Sequence, residues 1–228
     1  MLKLLSVLSA VALIASPAWA NPQVLLTSPN LFQNGSVNVK INDNQYSVSA
    51  AAGQFSVVAK DLSTGLSQSL QVYCTDIFDS LALDRTYSVG LLSDTLTDAT
   101  KLAQINALLA NGNPLVHSAA ASAGLQMAIW EVEYEPGNGN YDVTKGSLNI
   151  WTGDQNAIAA ANQDLQYVLN GAWQPDPGGI VRQLELSGYQ SLSYLTHSTA
   201  VPEPASLAVM GSALPLLGLT GRRRPRTI

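Results

Sequence analysis

The chain has 228 residues, only 12% of them charged, and a net charge of −5. Lys3 and four C-terminal arginines stand at its ends, so the stretch between them sets six basic residues against sixteen Asp and Glu, all between Asp43 and Glu203, a net charge of −10. An acidic surface of that size argues against nucleic acid and anionic lipid as partners, and roughly 180 residues suffice for one domain with a core of its own.

Residues 1–20 carry Lys3, an apolar run over 4–15, Pro17 and the small-x-small site Ala18-Trp19-Ala20. This order is that of a secretory signal peptide, and the run is too short to span a bilayer. Residues 21–34 are weakly patterned, with Pro22, Pro29 and an Asn34-Gly35 turn. Strand signals follow. Val37, Val39 and Ile41 alternate with polar residues, then Tyr46, Val48 and Ala50, then Phe55, Val57 and Ala59. Leu70, Val72 and Cys74 share one face of a further strand, which turns the cysteine toward the core. Tyr87, Val89 and Leu91 make the next.

The period then changes from two to between three and four. Thr97 or Asp98 caps a helix with Leu102, Ile105, Leu108 and Leu109, stopped by Asn111-Gly112 and Pro114. Ser118 caps a second over 119–134, whose apolar stripe is Leu125, Ala128, Ile129 and Val132. Gln126 shares a face there with Ser122, Ala123, Ile129 and Trp130, and a buried amide needs a partner, since leaving it unpaired costs about 1–3 kcal/mol. Pro136-Gly137 closes this helix. A third runs over 154–169, with Ile158, Leu165 and Val168 as its stripe, and 181–195 supplies one or two last strands. Strands first and helices after them predict an α+β fold: a β-sandwich-like sheet in the N-terminal half under a helical cap. Residues 21–200 form the body.

Residues 205–220 are uncharged and mostly apolar, and Arg222, Arg223, Arg224 and Arg226 follow at once. Sixteen helical residues reach about 24 Å against a hydrocarbon core of about 30 Å, with arginines able to snorkel and hold the tail on the cytoplasmic side.

Cys74 is the only cysteine of a chain with an export signal, where cysteines are usually paired. It is a buried inert thiol, a partner in an intermolecular disulfide, or a side chain consumed by other chemistry. Asp76, Asp79 and Asp84 match no calcium-loop spacing and read as a solvated edge. Glu131, Glu133 and Glu135 could form a glycosidase pair but read as exposed carboxylates at a helix end. His117 and His197 have no metal partner in sequence reach, and no cofactor, metal or catalytic residue is expected.

Two family resemblances add to this reading. Val201-Pro202-Glu203-Pro204, the apolar run and the arginine cluster resemble a PEP-CTERM sorting signal. That implies a Gram-negative exported protein, held transiently in the inner membrane, processed by an exosortase and released to the cell surface or extracellular matrix. The words Tyr73-Cys74-Thr75-Asp76 and Gln126-Met127-Ala128-Ile129-Trp130 resemble those of bacterial thioester domains, with Leu125 where that family usually has threonine. The resemblance implies that the Cys74 thiol condenses with the Gln126 amide, under the cover of Trp130 and with Ala128 small enough for the strand to approach. An amine or hydroxyl of a protein or polysaccharide would open the thioester and become tethered, one acyl transfer per molecule, so the protein is no enzyme. The alternative is a structural matrix or adhesin domain with a buried free thiol.

Replacing Arg222, Arg223, Arg224 and Arg226 with neutral residues is expected to let the tail translocate and to stop processing near Val201-Pro202-Glu203-Pro204. Release of the variant at its normal size, seen by immunoblot of the medium, would refute the sorting signal.

Overall fold

The computed structural model describes residues 22–42, 46–137 and 139–197. The expected signal peptide, the sorting motif, the apolar run at 205–220 and the arginine cluster lie outside them. Among the described residues no helix is long and apolar enough to cross a membrane.

Six antiparallel strands close into a barrel in the order β1 (Gln23–Thr27), β4 (Phe55–Asp61), β5 (Ser67–Cys74), β9 (Leu192–His197), β8 (Gly179–Glu185) and β6 (Arg85–Leu91), which pairs back to β1. This corrects the expected sandwich-like sheet. Alternation tells inward from outward residues but not whether a sheet closes on itself. Closure depends on β8 and β9, which come after all three helices, so the barrel is not built within the N-terminal half. β1 itself sits in the stretch that looks weakly patterned. Leu25 fills the outward slot between the buried Val24 and Leu26 and masks the period of two.

A second sheet has the order β3 (Ser47–Ala52), β2 (Val37–Asn42), β7 (Asn149–Trp151). Its inner residues Val39, Ile41, Ala52 and Ile150 are buried in the core. Three residues are too few to show a period, which is why β7 has no sequence signal.

The helices start at side-chain caps. Asp98 accepts from the Thr100 and Lys101 amides at the head of α1 (Ala99–Gly112), Ser118 from the Ala121 amide at α2 (Ala119–Tyr134), and Asp154 from the Asn156 and Ala157 amides at α3 (Gln155–Leu169). α2 is not a one-faced helix. Every residue from Ser122 to Val132 is buried, so it runs through the core with both sheets and the other two helices around it. The α3 face turned inward is Ala157, Ala161 and Leu165, while Ile158 and Val168 pack at its margin.

The α2–α3 contact is close because Gly124 has no side chain. A Cβ there would stand 2.7 Å from Ala160 Cβ and 3.1 Å from the Ala161 amide nitrogen. Gly124→Val is therefore expected to destabilise the fold by about 2–3 kcal/mol through overpacking, more than the helix propensity it gains. A urea midpoint equal to that of the wild type would show that the two helices can part at no cost.

Candidate functional site

β4 begins at Phe55, opposite Val72 of β5. Along an antiparallel strand the backbone groups alternate between the two edges. Cys74, two residues beyond Val72, thus turns its N–H and C=O to the edge that β4 has not reached, while Thr75 donates across the opposite edge to Ser191 O. The Gln126 side chain takes the place of the missing strand. The Cys74 N–H donates to Gln126 Oε1 at 2.8 Å, and Gln126 Nε2 donates to the Cys74 carbonyl at 2.8 Å. Both residues are sealed from solvent, at 1% and 0% exposure.

This pairing is one rung of a stripe on α2. Ser122, Gln126, Trp130 and Tyr134 recur every four residues and so lie above one another on one face. Ser122 Oγ accepts the Gln54 amide at 2.7 Å, just before β4 starts. Tyr134 Oη donates to Thr75 O at 3.1 Å and accepts from the Ile77 amide at 3.4 Å. Between them the Trp130 indole N–H is buried with no hydrogen-bond partner. It lies near enough to the Cys74 sulfur to favour the ionised thiol.

Cys74 is a free thiol that donates to Asp76 O at 2.9 Å. Burial pushes its pKa far up, the Asp76 backbone and the nearby Trp130 indole pull it down, and the Glu133 and Asp76 carboxylates push it further up. The thiolate is accordingly rare, and chemistry at Cys74 depends on position and on a neighbour that can take its proton.

The neighbours are the carboxylates at the end of α2, and they are not the exposed edge that the sequence suggests. Glu131 is fully buried; its Oε1 accepts the Asp142 amide at 3.0 Å and its Oε2 has no partner. Burial raises its pKa to about 7, assisted by Glu135 and Asp142. Glu133 Oε2 is also sealed and unpartnered; burial, and then Asp76, raise that pKa to about 8 against the pull of Lys101. Glu135 Oε2 accepts the Ser147 and Leu148 amides at 2.7 and 3.0 Å. The Lys101 ammonium donates to the Glu133 and Glu135 carbonyls at 2.9 and 2.8 Å, closing the negative end of the helix dipole.

Two residues past Gln126, the buried Ala128 points about 200° around the helix, on the same side as Gly124. Leu125, in the family's threonine position, faces Gly112 at the end of α1. Tyr73 belongs to a second buried network: Gln54 Nε2 donates to Tyr73 Oη at 2.9 Å and to Asn113 Oδ1 at 2.6 Å, and Tyr73 donates to Asn113 at 2.9 Å. Sequence reading missed Gln54, Asn113, Lys101 and Tyr134, and it set Glu133 aside as an exposed carboxylate. For Tyr134 and Ser122 the four-residue spacing from Gln126 was a usable signal; Gln54, Asn113 and Lys101 lie in elements distant along the chain.

No family model matches the chain, and no curated protein matches it. Among solved structures it is similar to the N-terminal thioester domain of a surface protein from Clostridium perfringens, with a TM-score of 0.38 and 14% identity over 69% of this chain and 97% of that one. A cysteine-to-alanine mutant of that domain gives a TM-score of 0.41 and 13% identity over 70% and 99%. The thioester domain of the Staphylococcus aureus TIE protein gives a TM-score of 0.41 and 12% identity over 79% and 80%.

The raised carboxyl pKa values set a pH dependence. Asp164, driven by burial alone, joins Glu131 at about 7 and Glu133 at about 8. Each is raised above its unfolded value, so the folded state holds more protons between that value and the folded pKa, and stability falls as pH rises through this window. Asp142, lowered to about 2, acts only below pH 4. The melting temperature should therefore drop by several degrees from pH 5 to pH 8, and Glu133→Gln should flatten the slope. A melting temperature that rises over that range in calorimetry would contradict the burial of these groups.

Proposed function

We propose that this chain is an exported surface or matrix protein that forms an internal Cys74–Gln126 thioester and uses it to tether itself covalently to an amine- or hydroxyl-bearing partner. The observation that carries the reading is the double 2.8 Å pairing of the Gln126 amide with the Cys74 backbone, which holds the amide carbon beside the residue that bears the thiol. It supports ring closure in two ways. Ordering both groups beforehand removes the entropic part of the barrel–helix encounter. The Cys74 N–H already points at Oε1, where negative charge grows when sulfur adds to the amide carbon.

In the balanced step the Cys74 S–H adds to Cδ of Gln126, the C–N bond breaks, and ammonia leaves with the thiol proton. Glu133, whose carboxyl titrates near neutrality and senses Cys74 electrostatically, is the group suited to carry that proton. Trp130, at 1% exposure, shields the product from water. Attack by an external amine or hydroxyl then frees the thiol and leaves the partner on Gln126 as an amide or ester. Each molecule reacts once, so the protein is consumed rather than turned over. The tail at 201–228 would direct it through the inner membrane to an exosortase before release.

A second reading, a structural domain with a free thiol, is favoured by one observation: the Gln126 amide and the Cys74 S–H are already satisfied by backbone groups, with no chemistry needed.

Intact mass separates the two. The thioester form is lighter than its sequence by one ammonia, does not label with a thiol reagent on unfolding in acid, and gains methylamine at Gln126 while freeing Cys74. Cys74→Ala and Gln126→Ala should each abolish the adduct; Cys74→Ala should keep the fold at a cost of about 1–3 kcal/mol, the price of one small cavity. Full sequence mass with one titratable thiol in freshly purified protein would leave the structural reading standing.

A further inference from the structure

The outer face of the three-stranded sheet carries a groove of about 590 Å³ whose lining includes Asn38, Lys40, Ser49, Ala51, Trp151 and Thr152. Register sets its floor. Lys40 on the central strand stands opposite both Ser49 of β3 and Trp151 of β7, so one row across the sheet reads Ser, Lys, Trp; Asn38 and Ala51 form the next row. Serine and alanine are short, and they leave a trough along one side of Lys40 with the indole standing on the other. The opposite face of the same strands is the buried one, with Val39, Ile41, Ala52 and Ile150. The groove is thus separate from Cys74 and Gln126.

Three features of this face want a ligand. Trp151 is 60% exposed and has no ring partner among the described residues, an unusual position for the largest apolar side chain. Lys40 makes no ion pair or side-chain hydrogen bond among the described residues. No Asp or Glu lines the groove, although acidic residues outnumber basic ones sixteen to six between the chain's ends. The groove, as far as the described residues form it, thus holds no carboxylate and has the unpaired Lys40 at its centre.

We propose that this groove binds a polysaccharide that carries uronate residues. A pyranose ring has an apolar face of C–H groups that lies flat on an indole, and a rim of hydroxyls that exchange hydrogen bonds with amide and hydroxyl side chains. Trp151 supplies the platform, Asn38, Ser49 and Thr152 the rim, and Lys40 a counter-charge for a ring carboxylate. A nucleic-acid strand, which also offers flat rings and anions, would need several basic residues where this groove has one. An apolar protein surface would leave Lys40 and Asn38 unpaired on burial. The proposal does not depend on the thioester.

The test is affinity electrophoresis of the purified protein in gels containing polygalacturonate, with neutral dextran as the comparison. Wild-type protein should be retarded by polygalacturonate and much less by dextran. Trp151→Ala should weaken retardation about tenfold or more, the loss typical of a central aromatic anchor. Lys40→Gln should erase the preference for the charged polymer. Ser49→Glu, at an exposed position that places a carboxylate in the trough, should reproduce the loss if Trp151→Ala fails to fold. Cys74→Ala should bind as the wild type does, which keeps this result independent of the thioester. No retardation of the wild type, equal retardation by dextran, or binding unchanged in both Trp151→Ala and Ser49→Glu would each overturn the proposal, as would binding of the wild type to protein-coated but not to polygalacturonate-coated beads.

Discussion

The structure turns on one substitution of parts: a side-chain amide stands in for a β-strand. Where β4 has not yet begun, the Cys74 N–H and C=O would be buried and unpaired, at about 1–3 kcal/mol each. Gln126 is isosteric with the peptide unit it replaces, so both groups are satisfied by one side chain. The requirement is strict in geometry. A shift of one residue along α2 would carry the amide about 100° away, so the pairing fixes both the height and the rotation of the helix against the barrel. Ser122 above and Tyr134 below add two more ties on the same face.

That fixed helix then determines the electrostatics around it. α2 ends where its dipole is negative and brings Glu131 and Glu133 inside with it. Their unpartnered oxygens are tolerable because a raised pKa lets the carboxyls stay protonated near neutrality. The Asp142 amide takes Glu131 Oε1, Lys101 takes the Glu133 and Glu135 backbone carbonyls, and the Ser147 and Leu148 amides take Glu135 Oε2. A group that can hold or release a proton at neutral pH thus lies close to the only thiol. This placement follows from packing the helix, in a site too dry to stabilise a thiolate.

The two ends of the chain's β-structure meet across this arrangement. β5 carries Cys74, β9 pairs beside it at Tyr73 and Cys74, and Gln190 donates to Asp76 O, the same carbonyl that receives the thiol. The loop after Cys74 is therefore held from three directions, by β9, by Gln190 and by Tyr134. The carbonyl that accepts the thiol is thereby held by a side chain more than a hundred positions further along the sequence.

Much was legible in the chain. Apolar alternation located five strands, β2 to β6, and 181–195 was read as one or two more, while Asp98, Ser118 and Asp154 marked the helix starts, because capping and periodicity are local and are written within a few residues. The lone Cys74 and the amide of Gln126 were each legible as buried groups that need explaining, and as a pair only through the resemblance of their flanking words to thioester domains. Closure of the barrel, the strand β7, the burial of α2 on every side and the inward Glu131 were not. Each of these depends on which element arrives next to which, a matter of contacts between distant segments rather than of local preference. Sequence by itself determined that Cys74 and Gln126 must both be buried; only the tertiary structure decided that they meet, because β4 starts one rung late and leaves the Cys74 backbone for the amide to fill.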